Sequence, residues 1–486
     1  MTEYHQSSTP PAGMQTAAYD AWQPTHTTQL VGPPRRRIPG WILAVAVATA
    51  VASVLAFVTV LVWPGSSRHT VAGPLAFHGF ASVGGLTFDE RSRTTMTAVH
   101  HDQAYVAWEQ GGDLQVRALD IATGAERWSA TVTGAPRWHR LIASPHALLV
   151  LADEPSASAP RPLYALDPDG GAQLWETQVH GNDRFIFTEG SLGLLDREGE
   201  RLRGIDWHSG DDRWQVEAPG PAYATGVNTP ASLAQPTSPT GVSLSPDSDD
   251  NRIVLVTGDR SVRVVETRDG GTIADRANVA DADNDLLLAY ENRLFVAQGL
   301  QNGYRVESYD LDNFSGSAQV IYTASDPERQ VEALEPCGEE RVCVLDQVRF
   351  DDETTAAAAL DAVDGGEVWR TDVPGGQYAI PVGEWLLVNG QLDGGPEVTV
   401  LSDAGDVRVG PEPGSGVRAN DGNLLMFAAD PRQSDAEVQA AGLAVGTAAP
   451  EDLGRLPAVD PATCNWSDRF VICTSQDSAS IWRFAE

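Results

Sequence analysis

The chain has 486 residues, of which 33 are basic and 67 acidic, giving a net charge of −34; that balance repels phosphate and excludes unaided binding to nucleic acid or to an anionic membrane surface. All 33 basic residues are arginine, and without a lysine the chain cannot be a P-loop ATPase, a protein kinase, a pyridoxal-phosphate enzyme or a Schiff-base aldolase. At about 150 residues per domain the length predicts three domains or one large repeat architecture, and a 42% hydrophobic fraction is enough for a sizeable core.

In chain order, residues 1–37 come first. They are rich in Pro, Thr, Gln and Ala with almost no aliphatic pattern, so the segment is expected to be a disordered cytoplasmic tail. A transmembrane helix is expected over 38–63. From Trp41 to Trp63 no residue is charged, which at 1.5 Å per residue covers roughly the ~30 Å hydrocarbon layer. The two terminal indoles suit the headgroup region, and Arg35, Arg36 and Arg37 precede the span while Arg68 alone follows. The positive-inside bias then leaves the N-terminus in the cytoplasm and the remainder outside. Small triplets such as Ala46-Val47-Ala48 lie inside the apolar run rather than after it, which argues for an uncleaved signal-anchor over a cleaved signal peptide. Residues 64–73 read as a linker and 74–486 as one extracytoplasmic domain.

That domain repeats itself. Asp120, Gly124 and Trp128 share a spacing with Asp167, Gly171 and Trp175, with Asp206, Gly210 and Trp214, and with Asp361, Gly365 and Trp369. Degenerate copies follow at Glu266 with Gly270, at Asp310, at Ser402 and near Leu443. Each Asp-x-x-x-Gly segment is expected to be a tight turn, in which the carboxylate accepts backbone N–H groups and the glycine takes φ > 0. An alternating strand precedes each turn, a tryptophan-bearing strand follows it, and apolar strands lie upstream. Four strands per unit at a period near 45 residues predict an all-β fold, a β-propeller of four-stranded blades. A strict count of units gives nine; eight blades are favoured because the unit at 220–278 carries a long loop, with seven to nine the full range. The C-terminal Cys464–Phe484 is expected to complete a blade with a strand around Leu75–Phe80.

Asp-x-x-Thr-Gly-x-x-x-Trp, complete at Asp120–Trp128, resembles the pyrroloquinoline-quinone (PQQ) repeat of quinoprotein alcohol dehydrogenase-like propellers. Membrane-anchored, non-catalytic relatives of that kind are common in high-GC Gram-positive bacteria. The resemblance implies that Trp128, Trp175, Trp214 and Trp369 each dock on the glycine region of the next blade.

Four cysteines, Cys337, Cys343, Cys464 and Cys473, allow three connectivities. Each pair sets one cysteine before a polar turn and one inside the following apolar strand, so the local pairs Cys337–Cys343 and Cys464–Cys473 are expected, in keeping with an oxidising location. A zinc site is the alternative, but the spacing fits no finger and no histidine lies beyond His208.

Catalytic motifs are lacking. A PQQ-dependent dehydrogenase would show adjacent cysteines and a calcium-ligand set, which this sequence does not have, so no cofactor, metal or catalytic residue is assigned. Asp281-Ala282-Asp283-Asn284-Asp285 begins like a calcium loop but has Leu286 where glycine is needed, and reads as an acidic inter-strand loop. His100-His101-Asp102 reads as a solvated turn. Paired carboxylates of a glycosidase are allowed by the many acids but not singled out. The expected function is therefore non-enzymatic: a membrane-anchored extracytoplasmic propeller that binds or scaffolds a protein or cell-envelope partner, an expectation to which a resemblance to outer-membrane-assembly (BamB) type propellers adds weight. The alternatives are a transmembrane sensor relaying ligand binding to the tail and, below it, the dehydrogenase.

Overall fold

Strands of this chain fall into two burial classes, and the classes dictate the architecture. Some are continuous apolar runs such as Leu148–Ala152, buried at every position, which a strand shows only when both faces are covered. Others alternate, such as Glu126–Val132, where Trp128 and Val132 are buried between exposed neighbours. The computed structural model describes residues 72–486 apart from 93, 154–158, 339, 350, 429–436 and 457–462. Among them it arranges both classes into nine four-stranded antiparallel sheets.

Blade 1 consists of Thr95–His100, Gln103–Gln110, Asp113–Asp120 and Glu126–Val132, in that order from the innermost strand outwards. Blades 2 to 8 repeat the plan, with innermost strands Trp138–Ala143, Arg184–Phe187, Tyr223–Gly226, Leu286–Tyr290, Arg329–Pro336, Gly376–Val382 and Ser415–Asn420. Blade 9 joins both ends of the domain: Asn465–Trp466, Phe470–Thr474 and Ser478–Ala485 are completed by the N-terminal strand Phe77–Thr87, antiparallel to Ser478–Ala485. This is the closure expected for the C-terminal segment. Nine blades is the strict count of the repeat rather than the favoured eight. The unit at 220–278 is a complete blade despite its long loop, because a strand pair needs only a matched register and not a short connection.

The hydrophobic cores lie between blades. Among the described residues there are nine, each shared by two consecutive sheets. The one that closes the ring packs Phe88, Val99 and Val106 against Ile472 and Ile481. Stability is therefore distributed around the circle, and every blade depends on both neighbours.

Both disulfides are the local ones, Cys337–Cys343 and Cys464–Cys473. Each ties the end of the first hairpin of its blade, in blades 6 and 9. The expected tail and span, and the linker as far as residue 71, lie outside the described residues. Among the described residues no helix is long and apolar enough to cross a membrane.

Candidate functional site

The repeat residues sit at the seams. In blade 1 Asp120 accepts Thr123 N at 3.0 Å through its carboxylate and Gly124 N at 2.8 Å through its carbonyl. Asp167 and Asp206 close their turns in the same way, with Gly171 N and Gly210 N on their carbonyls at 2.8 and 2.9 Å. Asp361 accepts Val363 N and Asp364 N at 2.8 and 2.7 Å. Each indole then crosses to the next blade. Trp128 Nε1 donates to Pro168 O at 2.8 Å, Trp175 to Trp207 O at 2.8 Å, Trp214 to Thr267 O at 2.7 Å and Trp369 to Asp403 O at 2.9 Å.

Glycine is required beneath each ring. Gly171 has φ +72°, and a Cβ there would stand 2.4 Å from Trp128 Cε3. Gly210 meets Trp175 and Gly405 meets Trp369 in the same manner. Gly365 has no indole on it: blade 5 presents Ile321, whose carbonyl accepts Gly366 N at 2.7 Å. Gly124 likewise packs on Gly84 of blade 9, backbone to backbone. In blade 4 the tryptophan position is Ala274, and Arg276, two residues on, donates to Phe314 O at 3.1 Å and also to Gly316 O. These seams carry no tryptophan to mark them in the sequence.

The long loop of blade 4 is the feature whose place the sequence does not give. Residues 227–251 leave the innermost strand of blade 4, include the short helix Pro230–Leu233, and cross the central channel. On the near side Asn228 N donates to Ala289 O of blade 5 at 2.9 Å, and Ser248 O accepts Glu189 N at 3.1 Å beside blade 3. On the far side Thr237 N donates to Arg418 O of blade 8 at 3.0 Å, while Arg418 Nε donates to Gln235 O at 2.8 Å. Asn389 of blade 7 donates to Pro239 O at 2.6 Å, and His100 of blade 1 meets Ser245 Oγ. Blade 8 stands four places from blade 4 in a ring of nine, so one loop holding both must span the opening. It acts as a plug.

Charge is confined around this plug. Arg418 is 3% exposed, and burial draws its guanidinium down to about 10 against the pull of Glu335 and Asp421. Burial pushes the Glu335 carboxyl up to about 7, with Arg418 opposing. Burial, then the neighbouring His101 and His146, pushes His100 down to about 4. His100 does lie at a turn, as expected, but it faces the plug, whereas His101 and Asp102 are exposed and Asp102 pairs with Arg127 at 2.6 Å. The acidic run at Asp281–Asp285 forms an inter-blade loop closed on itself, Asp281 N donating to Asp285 Oδ2 at 2.8 Å.

Among the described residues one group has metal-ligand spacing: His180, Asp183 and Asp196 offer atoms within 4.8 Å of one another. Their carboxylates are already engaged. Asp183 accepts His180 N at 2.8 Å and Arg197 N at 3.2 Å, and Asp196 accepts Gly199 N at 2.7 Å and Arg201 Nε at 3.0 Å. The trio shapes a turn.

Beside the plug is a cavity of about 450 Å³, walled by the innermost strands of blades 1, 2 and 9, by blade 8, and by Ser238, Pro239 and Leu244 of the plug. Thr97 and Asn465 form part of its rim, Asn465 Nδ2 donating to Thr97 O at 2.9 Å. The Cys464–Cys473 bridge fixes the hairpin that carries Asn465.

Residues 112–236 match the family model described as outer membrane protein assembly factor BamB. No curated protein matches the chain. Among solved structures it is similar to BamB from Moraxella catarrhalis, at 12% identity over 83% of this chain and 98% of that one, with a TM-score of 0.40. A europium-containing methanol dehydrogenase is 13% identical over 84% and 93% of the two chains, TM-score 0.39, and the computationally designed Ika8 protein is 12% identical over 83% and 99%, TM-score 0.41. Similarity at that level says nothing about what this chain binds. The recurring Asp–Gly turn, the indole bonded across each seam that has one, and the matched segment that holds three of the four full repeats show a nine-bladed β-propeller that carries PQQ-type repeats over residues 112–236.

Proposed function

We propose that the protein is a non-enzymatic binding and scaffolding module, held outside the cytoplasmic membrane by one N-terminal span, with a protein or envelope component as its partner. The observation that carries this reading is the plug. In a propeller the open channel is the natural place to admit and turn over a substrate; here a loop bonded to blades on opposite sides of the ring crosses it. What remains is a rigid body with variable loops on its faces, the part of a fold that recognition uses. The family match to an outer membrane assembly factor supports an assembly role.

In-membrane cross-linking of the full chain tests the proposal. One stoichiometric envelope protein, recovered reproducibly and competed by excess uncross-linked chain, is the expected result. Reduction of a redox dye after addition of PQQ and Ca²⁺ would overturn it in favour of a dehydrogenase.

A further inference from the structure

Apolar surface is not spread evenly around the ring. Eight large apolar side chains stand exposed among the described residues, and all belong to blades 4 to 7 or to the plug that blade 4 carries. Five of them, Ile273, Val320, Val363, Val368 and Val407, lie on the outermost strands of those four blades or on the turns that lead into them. Apolar side chains gathered on one sector of a surface mark an interaction site, whereas singly scattered ones do not.

Within this sector the outermost strand of blade 5, Gln319–Ala324, is an open edge: Gly303–Asp310 pairs with it on the inner side, and among the described residues no strand pairs with it on the outer side. Exposed edges are ordinarily guarded against strand addition by charge, by proline or by a covering element. The outermost strands of blades 1 to 4 and 6 to 8 each contain an aspartate, a glutamate or an arginine. Phe77–Thr87 of blade 9 contains none, but it is covered, Gly79 lying against Leu453 O of blade 8 and Gly84 against Gly124 of blade 1. Gln319–Ala324 has neither charge nor proline, and its Val, Ile, Tyr and Thr are residues that strands favour. Ile321 O is taken up by Gly366 N of blade 6, while Val320, 51% exposed, and Thr323 face solvent.

Charge selects the occupant. The three arginines on the outermost strands of this sector are committed: Arg276 to Phe314 O and Gly316 O, Arg370 to Asp346 and Glu367, and Arg408 to Asp406. Asp275, Asp364 and Asp372, on the same strands and turns, are exposed, and among the described residues their carboxylates form no ion pair. A second copy of the chain would bring the same acids against them, which repels. We infer that the outer edge of blade 5 receives an extended segment of a partner protein, added as a fifth strand, with apolar side chains at alternate positions against Val320 and its neighbours and with lysine or arginine flanking them to meet these carboxylates. The inference rests on the binding role proposed above and gives that partner a chemistry and a place.

Photo-cross-linking from benzoylphenylalanine placed at Thr323 of the full chain, irradiated in membranes, tests it. The expected product is one adduct whose cross-linked peptide, read by mass spectrometry, alternates apolar residues and carries lysine or arginine at its flanks. The same probe at Ser129, exposed on the outermost strand of blade 1, should yield at least tenfold less of it. Val320→Lys should lower the Thr323 adduct at least tenfold, and Asp275→Asn together with Asp364→Asn should lower it at least threefold, with a melting curve for each variant to show that it is folded. An adduct to a second copy of this chain, an adduct to an acidic or uncharged segment, equal yields from Ser129 and Thr323, or a Thr323 adduct indifferent to Val320→Lys would each overturn the inference. So would the absence of a Thr323 adduct where cross-linking over the whole surface still recovers an envelope partner, a result that leaves the binding role standing; loss of both would remove that role as well.

Discussion

An indole that donates across a blade boundary serves two blades at once, so its loss should be felt at both. Trp175 is 6% exposed and bonded to Trp207 O. Trp175→Ala leaves a cavity and an unpaired carbonyl, and should cost about 3–5 kcal/mol in denaturant unfolding. A cost below ~1 kcal/mol would be inconsistent with that packing. Charged residues at the plug make a second prediction at this scale, and their signs oppose. The Glu335 carboxyl rises from 4.5 to about 7 on folding, so its contribution is complete below pH 4.5 and is lost as pH rises through 7. His100 falls from 6.5 to about 4, so its contribution is present above pH 6.5 and is lost as pH falls through 4. Each is worth at most about 3 kcal/mol, less where channel water screens it. Between pH 4.5 and 6.5 Glu335→Gln should therefore make the melting temperature rise more steeply with pH than in the parent, and His100→Asn should make it rise less steeply. Parallel curves for parent and variants would contradict the assignment.

Single hairpins and loops account for the next level. The two bridges close short loops, separated by 6 and 9 residues, and loop-closure entropy for such lengths is about 2–3 kcal/mol each. Reduction should lower the melting temperature by several degrees, read by circular dichroism with and without reductant. The pairings were legible because each cysteine pair brackets one turn. The plug was not. Nothing in Gln235–Ser245 names Arg418 or His100 as a partner, and a loop rich in Pro, Ser and Thr reads as solvent-exposed whether or not it crosses a channel. Arg418 supplies the main far-side attachment through its backbone and guanidinium. Arg418→Met would strand Gln235 O and Pro381 O and leave Glu335 without its neighbouring cation. Faster protease cleavage within 235–246, with little change in β-sheet signal, is the expected outcome.

For the whole molecule, ring closure is the property on which all the others depend. Ser478–Ala485 is flanked on its outer side only by Phe77–Thr87, so a chain lacking residues 77–87 should expose an edge strand and lose cooperative melting. A variant that begins at residue 72 should keep it, and size-exclusion chromatography with thermal melts distinguishes the two. The repeat, its turn and its tryptophan were readable because each is a local pattern: an Asp carboxylate bonds N–H groups within its own turn, and a strand buried on both faces must be apolar throughout. Seams without an indole were not readable, since Ile321 and Gly84 meet their partners through backbone contacts and Arg276 through its guanidinium on two backbone carbonyls, none of which a recurring residue pattern records. By itself the sequence thus determined a β-propeller of tryptophan-marked hairpins with two local disulfides, all products of short-range geometry. Only the tertiary structure decided nine blades, the path of the plug across the channel and the cavity beside it, because each of these arises from residues far apart in the chain meeting around a closed ring.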